Sequence, residues 1–384
     1  MRQRLNELLV CPIDQQPLAL RVWESDTTSL SAQQREIAEH LGIDPASVDC
    51  DVHTGVLLNP RLRIFYPILG GVPRMLAFPV AVHRQFLQEF GDRVQRDCEG
   101  YRCADREATP GEPDVLRTFS SEWLNYDWKE DAYWDRTADR MYEVMDFMLD
   151  LSQTPVSGKK VLEVGIGICG ISNHIAEAHG CEMVGIDLSY AVAAVQRCFG
   201  RRHPFFHVVQ VSLFRSPFPD EAFDFVYSHG VPHHAYSTRK AVEAISRLPR
   251  KAGRVYVWVY SWHDEQRTWM RRWLLRLEQL LRPLLWRMPE RLQTIALTPL
   301  GPLYMLYHSH LRRASEVRYG WREAIHAACD RFTPRFVHHH SEDEVMGWFR
   351  ELGYTDLRVG SQRTKPDYVP ISISACTAID GIRS

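Results

Sequence analysis

The chain has 384 residues, and no uninterrupted apolar run in it approaches the roughly 20 residues that a membrane-spanning helix needs. Its start, Met1-Arg2-Gln3-Arg4-Leu5-Asn6-Glu7, lacks the apolar core of a secretion signal. An excess of charge is missing too. Lys and Arg number 46 against 48 Asp and Glu, and a net charge of −2 gives no global attraction for nucleic acid. Nine cysteines are present without a single C-x-x-C, which excludes a disulfide scaffold and reads as reduced thiols. These absences predict a cytoplasmic protein with no nucleic-acid partner and no stable membrane insertion. The length allows two domains, and 45% hydrophobic with 24% charged residues is ordinary for a globular chain.

What is present is a βαβ signature. The apolar run Val161-Leu162-Glu163-Val164 ends in Gly165-Ile166-Gly167-Ile168-Cys169-Gly170, and Val184-Gly185-Ile186-Asp187 ends in an acid. Glycines allow a tight turn and close backbone approach to a ligand, and the acid at the second strand tip suits ribose hydroxyls. Glu163 stands two residues before the first glycine. A carboxylate there repels the pyrophosphate that such a helix N-terminus would otherwise hold. It suits a ligand with an ammonium and no phosphate, such as S-adenosylmethionine.

With these residues the segment resembles the first motif of class I S-adenosylmethionine-dependent methyltransferases of the type 11 kind. Asp187 resembles that family's ribose-binding acid. The stretch Ser216–His229 is similar to the fourth-strand region, Val231-Pro232-His233-His234 to the turn behind it, and Lys251-Ala252-Gly253-Arg254 to the entry of the fifth strand. The likeness covers roughly residues 115–380. The chain departs from the pattern at Cys169, where a third glycine is usual, and at Ser212, where an acid commonly contacts the adenine amine. The resemblance implies cofactor contacts from Glu163, Gly165, Gly167, Asp187, Leu188, Ser212, Leu213 and His229. Glu163 would serve the amino-acid end, Asp187 the ribose, and Ser212 with Leu213 the adenine.

Short β-branched runs at Lys160–Val164, Glu182–Asp187, His207–Val211, Phe223–Ser228 and Arg254–Tyr260 predict buried strands. Ile171–Ala178, Tyr190–Phe199 and Thr238–Leu248 predict the helices between them, and Tyr354–Gly360 with Pro370–Thr377 a final antiparallel pair. The expected fold is α/β, a doubly wound seven-stranded Rossmann-like sheet with its ligand at the strand C-termini. A small N-terminal α+β domain and a helical insert after the fifth strand complete it.

Residues 1–76 read as a separate unit. Leu8-Leu9-Val10-Cys11-Pro12-Ile13-Asp14 and Phe65–Leu76 together resemble the small zinc-ribbon-like proteins that partner tRNA, rRNA and release-factor methyltransferases. Of the four ligand positions only Cys11 is a cysteine; Asp14, Asn59 and Leu62 occupy the others. Leucine cannot ligate, so no structural zinc is expected. Ser31 caps an expected helix over Ala32–Leu41. Residues 77–115 read as a linker with a helix at Val82–Phe90, and residues 116–384 as the methyltransferase domain.

The insert, about 261–350, holds two amphipathic basic pieces, Trp269–Leu277 and Leu280–Arg287, and Pro283, Pro289, Pro299 and Pro302 are expected to break it into short helices. A cap over a substrate pocket, a membrane-surface helix and a homodimer or domain contact all suit it. Phe119 and Trp123 fit an F-x-x-x-W segment that folds over the cofactor mouth in related enzymes. Trp123, Tyr126, His234, Arg335 and His338 are the candidate substrate contacts, Asp127 a further polar neighbour. His229 and His233 are the candidate bases, since imidazole transfers protons near neutrality. His338-His339-His340 cannot all face one ion in an extended segment, because alternate side chains point oppositely. His338 and His340 could pair with Glu342 or Asp343, but pocket lining is the preferred reading and no metal is assigned. Ser341 is expected to cap the next helix with Glu344 completing the box.

The function expected is methyl transfer to a small metabolite. Methylation of RNA or protein helped by the N-terminal unit is the first alternative, and a non-catalytic cofactor-binding scaffold the second.

Overall fold

The computed structural model describes residues 1–124, 137–168, 170–201, 203–261, 269–306, 320–360 and 377–384. The N-terminal part runs α1 (Arg4–Leu8), β1 (Ala19–Thr27), α2 (Ala32–His40), α3 (Pro45–Asp49), β2 (Cys50–Asn59), β3 (Ile64–Leu69), β4 (Val72–Pro73), α4 (Ala81–Asp97) and β5 (Arg102–Cys103). Strands β1 to β4 form an antiparallel sheet in sequence order, and β5 joins β3 in parallel. Ser31 caps α2 in a full capping box with Gln34.

The segment expected as a linker is built into this sheet. Val82, Phe86, Phe90 and Val94 recur every fourth residue, which sets one apolar stripe along α4. Phe86 and Val94 pack with Val56 and Phe65, and Trp23 stacks on Phe86 at 5.5 Å. The polar character of 98–113 hid the short strand β5.

Positions 11, 14, 59 and 62 meet at one corner of the unit. Asn59 donates to Asp14 Oδ1 at 2.8 Å, Arg61 to Asp14 Oδ2 at 3.0 Å, and the Leu62 amide to Asn59 Oδ1 at 2.9 Å. The Cys11 sulfur lies 3.4 Å from the Tyr66 hydroxyl. The corner is closed by hydrogen bonds.

After α5 (Glu112–Leu124) and α6 (Ala138–Met148) the chain alternates strand and helix: β6 (Lys160–Val164), α7 (Ile171–His179), β7 (Glu182–Asp187), α8 (Val192–Val195), β8 (Phe206–Gln210), β9 (Phe223–His229), α9 (Thr238–Ile245) and β10 (Pro249–Val259). The insert holds α10 (Trp269–Leu285), α11 (Glu290–Leu297), α12 (Gly301–Leu306) and α13 (Trp321–Phe332), and α14 (Glu342–Glu351), β11 (Tyr354–Val359) and β12 (Thr377–Arg383) close the chain. The main sheet has seven strands in the order β11-β12-β10-β9-β6-β7-β8. The neighbours from β10 to β8 are parallel, and β12 is antiparallel to both β10 and β11. This is an α/β doubly wound sheet. Sequence order reverses between β6 and β9, so the ligand-binding crevice belongs at the carboxyl ends of these strands.

Two expected elements differ, and a third, the strand expected at 370–377, lies outside the described residues except for Thr377. Strand β12 is described over Thr377–Arg383, with Ala378 beside Trp258 and Ile379 beside Val257. The expected helix 190–199 tightens to α8 and then widens into a π turn over Gln196–Gly200. The two basic pieces are one helix, α10, which carries Pro283 in its last turn. The buried Arg282 anchors that turn by ion-pairing Glu278 and donating to the Pro334 carbonyl at 3.1 Å.

The N-terminal sheet docks on β8, the edge of the main sheet. Arg74 pairs with Gln210 as an isolated bridge, the Met75 amide donates to the Gln210 carbonyl at 2.8 Å, and Arg74 Nη1 reaches Gln210 Oε1 at 3.0 Å. Arg4 on α1 pairs with Glu182 at the start of β7 at 2.9 Å. One apolar cluster runs from Leu5, Leu9 and Tyr66 into Leu162 and Val184. No helix among the described residues is long and apolar enough to cross a membrane.

Candidate functional site

The site begins at the glycine loop. Gly165 has φ +87°, and a Cβ there would fall 2.2 Å from Val231 Cγ2, so only glycine fits. Gly167, at φ +49°, donates its amide to Asp187 Oδ2 at 3.0 Å, and the Ser189 amide donates to Oδ1 at 2.7 Å. Two backbone donors therefore fix the Asp187 carboxylate at the tip of β7, beside the loop. Cys169 lies outside the described residues.

Glu163 sits in the middle strand, beside Gly185 on β7 and Tyr227 on β9. It is 3% exposed and accepts from the Ser172 hydroxyl in the first turn of α7. Burial pushes its carboxyl up to about 7, against the hydrogen bonds from Ser172 and Tyr227 that favour the anion. Among the described residues no basic side chain pairs with it, and Asp187 pushes it further up. A buried acid held at the neutral point without a cation is a place where a bound cation would be stabilised.

Leu188 is half-buried beyond Asp187, and its carbonyl accepts from Gln210 Nε2 at 3.0 Å. Ser212 follows β8. It is buried and donates to a carboxylate of Glu112, at the start of α5, while accepting from the Phe214 amide at 3.1 Å. The second Glu112 oxygen accepts from the Thr109 amide at 2.7 Å. A carboxylate from a segment 100 residues upstream thus stands beside position 212. Leu213 packs against the main core.

Helix α5 crosses the mouth of this crevice. The ring of Trp123 would lie 3.4 Å from a Cβ on Gly167, and it approaches His326 of α13 at 6.1 Å. Phe119 meets His234 edge-on at 4.9 Å. The insert covers α5 from outside: the Arg117 guanidinium donates to the Trp286 carbonyl at 2.6 Å, and Arg335 stacks over Trp286 at 4.7 Å. The opposite faces of α10, α11 and α12 leave Leu280, Leu284, Ile295 and Leu303 exposed.

A histidine and aromatic wall follows β9 and β10. His229, half-buried at the end of β9, stacks on Trp258 at 4.6 Å and has its Nδ1 3.3 Å from the Tyr256 hydroxyl. His233 is fully enclosed and stacks on Tyr260 at 3.9 Å. His234 Nδ1 lies 3.0 Å from the Phe336 carbonyl. Burial pushes His229 down to about 4 and His234 to about 3, and His233 falls well below the ordinary range through burial and its neighbouring imidazoles. The wall is uncharged at neutral pH.

The remaining candidates separate. His338 Nε2 lies 3.1 Å from the Ala235 carbonyl, in the wall behind His233. Its ring is 6.3 Å from His340, which pairs with Glu344 at 3.0 Å, so the two do not share an ion. Ser341 caps α14 through the Glu344 amide, but the Glu344 side chain goes to His340 rather than completing a box. Arg335 pairs with Asp114 at 2.6 Å and joins the cap to α5. Tyr126 and Asp127 lie outside the described residues.

Beneath the cap lies a group that sequence reasoning missed. Glu122, next to Trp123, faces Asp330 of α13, with His326 Nε2 3.7 Å from Glu122 Oε1. Burial and mutual repulsion push Glu122 well above the carboxylate range, and burial raises Asp330 to about 6. The two are separated by more than two hundred residues, and Glu122 reads in sequence as an ordinary helix acid. Glu112 was hidden the same way; the only local sign is its place after Pro110-Gly111 at a helix start.

Residues 162–257 match a family model described as Methyltransferase domain, so the chain carries a methyltransferase domain. Among curated proteins, the sterol 24-C-methyltransferase erg6 of Schizosaccharomyces pombe is 33% identical over 112 residues, 27% of this chain and 29% of that protein. Phosphoethanolamine N-methyltransferase 2 of Caenorhabditis elegans is 22% identical over 202 residues, 52% of this chain and 45% of the relative. The chain spans less than half the length of these relatives. Among solved structures, phosphoethanolamine N-methyltransferase 2 of Haemonchus contortus, in complex with phosphomonomethylethanolamine and S-adenosylhomocysteine, superposes with a TM-score of 0.43 at 12% identity, over 72% of this chain and 60% of that one.

Proposed function

We propose that the protein transfers a methyl group from S-adenosylmethionine to a small-molecule acceptor. The observation that carries this reading is the buried Glu163, without a cation among the described residues, beside the Gly165–Gly167 loop and the fixed Asp187, inside the matched segment. The cofactor supplies an electrophilic methyl on a sulfonium. Glu163 would hold its ammonium, Asp187 its ribose hydroxyls, and Ser212 with Glu112 and Leu213 would border its adenine. Trp123 would exclude water from above the loop, which favours an in-line displacement whose main demand is alignment.

His229 is the side chain we assign to proton acceptance, because it is only partly buried at the end of β9 whereas His233 is sealed in the wall. A base held near 4 is weak, so it suits an acceptor that is already a good nucleophile, or one whose proton leaves late. The cap and neutral aromatic wall suit an apolar or aromatic metabolite rather than a macromolecule. The relatives with sterol and phosphoethanolamine in their names agree with a small acceptor. We further infer that the N-terminal unit is a ribbon-like module in which hydrogen bonds among Asp14, Asn59 and Arg61 do the work of a metal.

Calorimetric titration with S-adenosylmethionine and S-adenosylhomocysteine tests the reading. Micromolar binding of both, weakened at least about tenfold in Asp187→Ala, is expected, since a charge-assisted pair of hydrogen bonds is lost. Absence of binding to either would overturn it.

A further inference from the structure

A second constellation lies away from this site, on the outer side of the helices that flank β6. Asp146 near the end of α6 faces His174 and His179 of α7. His174 Nε2 lies 3.3 Å from both Asp146 oxygens, and His179 Nε2 lies 3.3 Å from Oδ1. One carboxylate oxygen and the two ring nitrogens all fall within 4.8 Å of one another. The side chains are 21% to 33% exposed, so an ion reaches them from solvent. Tyr142 stacks flat on His174, with ring centroids 4.2 Å apart and planes 1° from parallel, which fixes the orientation of that imidazole.

The spacing discriminates between two uses of such a group. A good N–H···O bond is about 2.7–3.2 Å, and all three contacts are longer. For a tetrahedral ion with ligands at about 2.0–2.1 Å, neighbouring ligand atoms stand about 3.3 Å apart. The observed nitrogen–oxygen distances equal that edge. Both imidazoles also aim the same nitrogen, Nε2, at one carboxylate, an arrangement in which a single cation satisfies three lone pairs at once.

We propose that Asp146, His174 and His179 form a binding site for a zinc-class divalent cation, with water completing the coordination. Two imidazoles and one carboxylate match zinc, cobalt or nickel; magnesium and calcium prefer an all-oxygen set. The bound ion clamps the end of α6 to α7, the helix that starts directly behind the glycine loop. It acts at a distance from the methyl-transfer site and does not depend on that assignment.

The experiment uses the full chain without added affinity histidines, stripped with a chelator and titrated with cobalt. One equivalent is expected to give the visible absorption of a four-coordinate cobalt site, displaced by one equivalent of zinc. Asp146→Asn and His179→Gln, both of similar shape to the native side chain, should each weaken the binding by about tenfold or more. His340→Gln should leave it unchanged, as should any variant of the nine cysteines. Melting curves with and without zinc should show a rise in the wild type that both ligand variants lose, while circular dichroism confirms that they fold. No stoichiometric binding in the micromolar range, or binding unchanged in both variants, overturns the proposal.

Discussion

Glu163 and Glu182 stand on adjacent strands of one sheet, both all but sealed from water, and they titrate in opposite directions. Burial carries Glu163 up to about 7. Glu182 suffers the same burial, yet hydrogen bonds from His207 and Arg4 with their charges bring it down to about 2. The difference is a cation. Arg4 of the N-terminal unit is delivered to Glu182 at the amino end of β7, and among the described residues nothing equivalent comes to Glu163 at the carboxyl end of β6. Glu182 joins two parts of the protein. Glu163 is left needing a charge, which is why the ligand site belongs at its end of the sheet.

The sharpest way to break the contrast is to remove the cation that Glu182 has. Arg4→Ala leaves His207 to carry the buried Glu182 carboxylate and should cost about 3 kcal/mol, read as a lower urea midpoint at pH 7, with cofactor affinity retained. The pH dependence has a defined sign. The folded-state value of Glu182 is below its ordinary 4.5, so its stabilisation is present above that value and is lost as pH falls toward 2. In Arg4→Ala this acid-limb slope should flatten.

Glu163 gives the mirror image. Its folded-state value is above 4.5, so the folded protein is favoured below that pH and loses this advantage as pH rises through about 7. Glu163→Gln should therefore be neutral at pH 4 and more stable than wild type at pH 8, by up to roughly 2–3 kcal/mol in denaturant titration. The same variant should bind S-adenosylmethionine at least about tenfold more weakly, because the charge partner is gone. For the wild type, affinity should climb between pH 5.5 and 7 with release of a proton, detected by calorimetry in buffers of different ionisation enthalpy. A flat profile would separate Glu163 from the ammonium. The smallest effect is expected at Ser212→Ala. The Glu112 carboxylate remains, so affinity should fall by about 1 kcal/mol, whereas Glu112→Gln should cost more.

Local signals carried much of this organisation. The strands β6, β7 and β9 are short β-branched runs that end in a glycine loop, an acid and a histidine, and a parallel sheet buried on both faces writes such runs directly into the chain. Glu163 and Asp187 were legible because they lie inside those runs. Glu112 was not, because its partner Ser212 is reached only after the chain has folded, and nothing near Glu112 marks it. The Glu122–Asp330 pair and the Asp146–His174–His179 group share that property. Their meaning is in distances between helices, not in spacing. Pro283 misled for a different reason: proline weakens a helix, but the ion pair and carbonyl contact of Arg282 hold the last turn of α10 in place.

The docking of residues 72–75 on β8 also bears on how this protein can be handled. An outermost strand with bare amide and carbonyl groups is a template for pairing with other chains. Here Arg74 and Met75 occupy Gln210, the residue at the carboxyl tip of that strand. A version trimmed to the catalytic half, the obvious choice for expression, would uncover β8 and the apolar surface that Leu5, Leu9 and Tyr66 now cover. It should gather in inclusion bodies, so the front of the chain serves as a built-in guard against self-association.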